Sequence, residues 1–339
     1  MITASVPPRQ MSAPWQRELA AAITRPAELA EALGLPLEAF GYAPSAFPLR
    51  VPRSFVARMR RGDPHDPLLR QVLPVAAELI DAPGYDSDPL GEQTAQRAPA
   101  LLQKYRGRAL LITTETCAVH CRYCFRREFP YARHHGDGER WGEALAAIAA
   151  DASIEEVILS GGDPLALGTT RLQALGQRLL GIAHLRRVRI HTRMPVVLPA
   201  RVDAQLLHWV RTFTLPMVIV LHANHPAEID ADVQSACAAL RAAGATLLNQ
   251  TVLLAGINAD ATVLAQLSTR LFEAGVLPYY LHALDPVRGA AHFAVPDEQA
   301  RRLAGALAAR LPGYLVPRLV REIPGATAKT ALTPLLDGA

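Results

Sequence analysis

Three cysteines fall within eight residues of this chain: Cys117, Cys121 and Cys124, in the stretch TTETCAVHCRYCFRR at 113–127. Thiolates are soft ligands, and a C-x3-C-x2-C spacing suits an iron–sulfur cluster or zinc. A cubane has four irons, so three cysteines leave one iron open to chelate a small cofactor such as S-adenosylmethionine through its amino and carboxylate groups. A structural zinc site needs four closed ligands. His120, His134 or His135 could supply the fourth, whereas Cys237 lies more than a hundred residues on, in an Ala-rich helical stretch, and reads as a buried thiol. The pattern favours the cluster.

A second clue is compositional. Of 35 basic residues only Lys104 and Lys329 are lysine; the rest are arginine. A lysine kept where arginine serves elsewhere points to an amine that must lose its proton and condense with a carbonyl. Lys329 lies in the small-residue stretch PGATAKT at 324–330 and is the candidate for the resting Schiff base of a pyridoxal phosphate. Lys104 stands four residues before Arg108 in KYRGR, and the two read as a phosphate-side cation pair.

These side chains need elements to hold them. From about residue 108, apolar runs at 109–113, 156–159, 188–192, 217–221, 246–254 and 277–283 alternate with helical patterns at 141–150, 170–182, 203–211, 230–243, 260–274 and 297–310. Six strand–helix units in strict alternation imply an α/β fold, a partial (β/α)6 barrel with a parallel sheet and right-handed crossovers. Such a barrel carries its ligands at the carboxyl ends of the strands, where Cys117 falls. Ser160, Gly161, Gly162 and Asp163 follow the second strand; two glycines without Cβ would let backbone amides approach the amino acid end of a cofactor. His191 and Arg193 end the third strand, His222 ends the fourth, and Gln250 within the fifth could hydrogen-bond a ribose.

Residues 1–100 read as a helical, proline-broken extension with helices at 15–35, 53–61 and 67–80. The barrel occupies 101–311, and a short tail, 312–339, carries the pyridoxal lysine. Half of the 339 residues are apolar, enough for a large core. The scattered arginine pairs behind the net charge of +4 lack the dense basic block of a nucleic-acid binder. Residues 1–19 have no apolar leader core, no run approaches a membrane span, and clustered free thiols suit a reducing cytoplasm.

Taken in order, CAVHCRYCFRR, SGGDPL, HTRMPVVLPARV, LHANHP, LLNQTVLL, PYYLHALD and PGATAK resemble the lysine 2,3-aminomutase family of radical S-adenosylmethionine enzymes over residues 47–330, Tyr123 included. The resemblance implies a [4Fe-4S] cluster on Cys117, Cys121 and Cys124, S-adenosylmethionine near Ser160 to Asp163, His222 and Gln250, and pyridoxal phosphate on Lys329. It further implies L-lysine as substrate, its carboxylate on Arg126 and its distal ammonium on Asp285 and Glu322, with an electron donor such as flavodoxin or ferredoxin. Glu322 stands where the free-lysine aminomutases carry aspartate, the glycine run before the Schiff-base lysine is altered to Ala326-Thr327-Ala328, and no cysteines follow for a zinc-binding C-terminal extension. These departures resemble the subfamily that makes (R)-β-lysine for modification of elongation factor P. The alternatives are an aminomutase of lysine catabolism or metabolite synthesis, and a non-catalytic zinc-stabilised binding protein.

Overall fold

The computed structural model describes residues 13–131 and 138–336; His134 and His135, weighed above as zinc ligands, lie outside the described residues. Ten strands follow one another: β1 (Gln96–Ala98), β2 (Leu101–Tyr105), β3 (Arg108–Thr114), β4 (Glu156–Gly161), β5 (Arg187–Thr192), β6 (Met217–His222), β7 (Thr246–Val252), β8 (Leu277–His282), β9 (Arg318–Arg321) and β10 (Thr330–Ala331). They form one sheet in sequence order. β3 to β9 pair in parallel, while β1, β2 and β10 add antiparallel edges. The helices are α1 (Pro14–Ala20), α2 (Pro26–Leu33), α3 (Arg53–Val56), α4 (Gly138–Ala150), α5 (Thr169–Leu180), α6 (Met194–Val197), α7 (Ala204–Thr212), α8 (Ala231–Ala242), α9 (Ala261–Glu273) and α10 (Asp297–Arg310).

The six expected strands are all present as β3 to β8; β4, with its run EVIL, is buried along its whole length, whereas β5 and β7 alternate buried with more exposed residues. Asp203, Asp230 and Asp260 cap α7, α8 and α9 by accepting backbone N–H bonds from the first turn. The sheet runs on beyond the six units in both directions. β9, four residues of the expected tail, is a seventh parallel strand, and β10 turns back on it with Thr330 opposite Arg321. Strands this short carry no readable period; the neighbours they pair with define them.

The N-terminal region is less helical than its pattern suggests. The 15–35 stretch breaks at Pro26, which opens α2, and 53–61 keeps only α3. The 67–80 stretch reduces to single turns at Leu69–Gln71 and Ala76–Leu79, because Pro74 between them lacks the N–H a continuous helix needs.

This region holds the cysteine loop in place. Arg122, fully buried in that loop, donates from Nε to Glu78 Oε1 at 2.7 Å and from Nη2 to Glu78 Oε2 at 2.5 Å. Arg127 reaches the same carboxylate at 2.7 Å. Burial alone would raise the Glu78 pKa, but the two guanidiniums hold it below the ordinary carboxylate range. From the barrel side, Gly161, with φ of +119°, and Gly162 press against the loop: a Cβ on either would come within 2.5 Å of the carbonyl oxygen of Thr114 or Thr116.

Glu78→Ala leaves Arg122 buried without its counter-charge, so we expect a loss of about 3–5 kcal/mol of stability. Denaturant unfolding of the protein free of cofactors measures it, and a change below about 1 kcal/mol would refute the clamp.

Candidate active site

The carboxyl ends of the parallel strands open onto one cavity of about 250 Å³. A single water needs roughly 10–15 Å³ on the same kind of measure, so this is a ligand-sized space and not a packing void. All three clustered cysteines, Ser160 to Asp163, His191, Arg193, His222, Gln250, Asp285, Glu322, Lys104, Arg108 and Lys329 line it, and Arg126 with them. Residues scattered over two hundred positions meet here because most close a parallel strand or follow one, with Lys104 in β2 and Arg108 at the start of β3 as the exceptions.

Cys117, Cys121 and Cys124 are free thiols at the cavity wall. Burial, with Cys121 nearby, pushes the Cys124 thiol up to about 11, so without metal it keeps its proton. Arg193 donates from Nη1 to Cys121 Sγ at 2.8 Å while its Nη2 is held by Glu228 at 2.8 Å. A guanidinium against that sulfur stabilises the negative charge a metal-bound thiolate carries. Among the described residues no three His, Cys, Asp or Glu side chains close on a single metal ion. Three separate thiol donors on one wall fit a cluster, in which each sulfur binds its own iron. His120 does not join them: its Nδ1 is 2.9 Å from the Pro48 carbonyl and its ring stacks on Phe47. Cys237 is fully buried.

The Ser160 to Asp163 stretch departs from the cradle expected of it. Gly162 and Asp163 spend their amides on the Thr114 and Thr116 carbonyls at 2.7 and 2.8 Å, so these two N–H groups fasten the cysteine loop to β4 and are not offered to a ligand. Asp163 is likewise filled, accepting from Thr192 Oγ1 and from the amides of Leu165, Arg193 and Met194 at 2.7–3.1 Å. It fixes the ends of β4 and β5 together. Gln250 bonds His222 Nε2 at 2.8 Å, which orients the imidazole. Burial, then Arg193 and Arg126, brings the His222 pKa down to about 3, and burial lowers that of His191 well below its usual value. Both rings are neutral at working pH, and the buried Nε2 of His191 has no partner.

Five charged side chains then form an alternating chain. Glu92 takes Nε and Nη2 of Arg126 at 2.6 and 2.7 Å, and its Oε1 is 3.1 Å from Lys104 Nζ. Lys104 Nζ donates to Glu322 Oε1 at 2.8 Å, and Lys329 Nζ donates to Glu322 Oε2 at 2.5 Å. Lys104, expected with Arg108 as a phosphate-side cation pair, thus lies between two carboxylates. Arg108 packs its guanidinium over the Tyr105 ring at 4.7 Å and makes no carboxylate pair among the described residues. Arg126 donates from Nη1 to Ser160 Oγ at 3.0 Å, so three of its five N–H groups are taken and one remains on each terminal nitrogen. Two parallel N–H donors suit one carboxylate.

The acids differ in state. Burial would raise Glu322, but Lys329 and Lys104 hold it down to about 2. Burial and the neighbouring Glu322 charge push Asp285 up to about 7. Sequence pattern did not flag Glu92, Glu78 or Glu228, all buried ion-pair partners of the arginines around the cysteines. A signal existed: Arg122, Arg126 and Arg127 crowd one loop and require counter-charges from elsewhere.

The Radical SAM superfamily matches residues 111–216. The chain is 47% identical over 336 residues to an L-lysine 2,3-aminomutase of Escherichia coli, covering 98% of this chain and 97% of that one. It is 46% identical to an L-lysine 2,3-aminomutase of Haemophilus influenzae over 93% of this chain and 94% of the other. An L-lysine 2,3-aminomutase of Clostridium subterminale is 36% identical over 80% of this chain but 65% of its own length.

The raised Asp285 pKa gives a signed pH dependence. In the unfolded chain this carboxyl ionises near 3.9; in the fold it keeps its proton up to about 7. Its contribution to stability is therefore present below pH 4 and lost as pH rises through 7. Thermal unfolding of the cofactor-free protein from pH 4.5 to 8 should show that downward component, and Asp285→Asn should remove it; an identical profile in the variant would overturn the assignment.

Proposed function

The chain belongs to the lysine 2,3-aminomutase family of radical S-adenosylmethionine enzymes, and on that premise we propose that it isomerises (S)-α-lysine to (R)-β-lysine with pyridoxal phosphate carried on Lys329. The observation that supports this most directly is the complementary chemistry gathered in one cavity. Arg126, with two N–H groups unspent, and the acids Asp285 and Glu322 line the same space, and a primary amine, Lys329, stands against Glu322. That pattern matches an amino acid with a second, terminal ammonium.

In this reading Arg126 binds the substrate carboxylate through its two unused N–H groups, aimed by Glu92 and Ser160. Asp285 and Glu322 take the terminal ammonium. When bound, the cluster and S-adenosylmethionine supply the hydrogen-abstracting radical, and pyridoxal phosphate supplies the conjugated carbonyl through which the substrate nitrogen migrates. Cys117, Cys121 and Cys124 hold the first, with Arg193 beside Cys121, and His191, His222 and Gln250 line the wall between these thiols and β8. Arg108 is the phosphate-side cation that remains uncompensated. The enclosing strands keep water from the radical and fix the distances between reacting groups.

An electron donor of the flavodoxin or ferredoxin type would reduce the cluster. We further propose elongation factor P as the destination of the β-lysine. The chain is 47% and 46% identical to its Escherichia coli and Haemophilus relatives and 36% identical to the clostridial one, which favours the first two as its nearer kind. Co-expression with elongation factor P and its lysyl ligase, followed by mass spectrometry, should show a β-lysyl addition that depends on this chain.

Two experiments test the core of the reading. The protein reconstituted anaerobically with iron, sulfide, pyridoxal phosphate, S-adenosylmethionine and a reductant should turn L-lysine into β-lysine, separable by chromatography, only when both organic cofactors are present. Cleavage of S-adenosylmethionine without β-lysine would remove the substrate assignment. Lys329→Ala should lose the pyridoxal absorbance while keeping its iron content, and an unaltered pyridoxal spectrum would remove the role given to Lys329.

A further inference from the structure

The two lysines of the chain converge on one carboxylate. Arginine supplies every other basic position, yet Lys104 and Lys329 both bond Glu322, one to each oxygen, at 2.8 and 2.5 Å. Backbone geometry enforces the second contact. The β9–β10 pairing sets Thr330 opposite Arg321, which brings Lys329 and Glu322 face to face across the hairpin. Glu322 is thus a receptor for primary ammonium groups, and in the cofactor-free protein the chain fills it with its own.

We propose that the ammonium of Lys329 is an internal stand-in for the terminal ammonium of the substrate, so that Glu322 becomes available to the substrate only once Lys329 has been taken up by the cofactor. The proposal rests on the reading that a lysine-like substrate places its terminal ammonium at Glu322. The chemistry of loading makes the exchange balanced. Condensation of the Lys329 ammonium with a carbonyl forms a C=N bond, expels the carbonyl oxygen as water, and sends two of the three N–H protons out with that water. The nitrogen keeps at most one N–H, so Lys329 no longer offers Glu322 Oε2 the ammonium it held. Lys104 stays on Oε1, as does the charge that holds Glu322 ionised, and the vacated oxygen faces the cavity that Asp285 also lines. The second lysine therefore keeps the seat aimed while the first leaves it.

Two features make this more than an incidental ion pair. The side chains of Glu322 and Lys329 are 12% and 21% exposed, so the pair is screened from bulk water and the site is not cheaply left empty. Glu322 also presents one oxygen to each lysine, so one ammonium can leave without disturbing the other. Coupling follows: cofactor and substrate each favour the other's binding, because one removes the competitor that the other must displace.

The test uses the protein without pyridoxal phosphate, so no turnover enters. Calorimetric titration with L-lysine should find Lys329→Met binding at least about tenfold more tightly than the unaltered chain, because methionine fills the space without the charge. Lys329→Arg, which keeps a cation on Glu322, should remain as weak as the unaltered chain. L-Norleucine, of the same length but lacking the terminal ammonium, should gain nothing from Lys329→Met. Equal L-lysine binding by the unaltered chain and Lys329→Met, or no binding by either, overturns the proposal, as does an equal gain for norleucine. The functional reading stands or falls separately, on β-lysine formation by the fully loaded enzyme. Retained β-lysine formation with a null calorimetric result would remove the stand-in role alone.

Discussion

A loop with no regular hydrogen-bond ladder cannot hold three thiols in a fixed relation by itself, and the rest of the molecule is arranged to hold it. Arg122, Arg126 and Arg127 interleave with the cysteines, and their charges are buried against Glu78 and Glu92 from the N-terminal region. A buried charge left unpaired is far more costly than a paired one is beneficial. These pairs therefore act less as sources of stability than as a requirement that the N-terminal region close over the loop in one arrangement. From below, Gly161 and Gly162 admit the loop backbone to a distance that any Cβ would forbid. Asp163 then locks β4 to β5 beneath it.

The same logic extends across the cavity. Arg126, Glu92, Lys104, Glu322 and Lys329 alternate in sign from the cysteine loop to the hairpin at the other edge of the sheet. The members come from four segments, with Glu322 and Lys329 sharing the β9–β10 hairpin, so the chain of charges exists only when β2, the cysteine loop and that hairpin are assembled. Glu92 and Ser160 make the outcome asymmetric: by taking three N–H groups of Arg126 they leave two, the right number for a single carboxylate. Neutral histidines on β5, β6 and β8 complete the wall. Burial keeps His222 and His282 uncharged, down to about 3 in each case, so neither adds to the cationic side of the site.

Use of lysine is the chemical signature of this arrangement. Arginine cannot lose its proton in a protein and so cannot condense with a carbonyl. A chain that keeps two lysines, both on one carboxylate in the cavity, separates the charges that only need to be positive from the amines that need to be primary.

Much was legible from residue types alone. The C-x3-C-x2-C spacing, the six alternating strand and helix patterns and the rarity of lysine each report local chemistry, which the linear chain carries without reference to its fold. Asp203, Asp230 and Asp260 mark helix starts for the same reason. Tertiary structure alone decided the partners. Glu78 and Glu92 look like any surface glutamates until folding removes them from water beside arginines that lie tens of residues away. The glycines after β4 suggested a ligand cradle, but the backbone that approaches them belongs to the cysteine loop. The tail proved to be part of the sheet, because β9 and β10 are too short to show a period and acquire their geometry from β8. Sequence thus determined which groups could do chemistry, since that depends on covalent structure. The fold determined which of them remain free to do it, since that depends on which charges and amides are already satisfied.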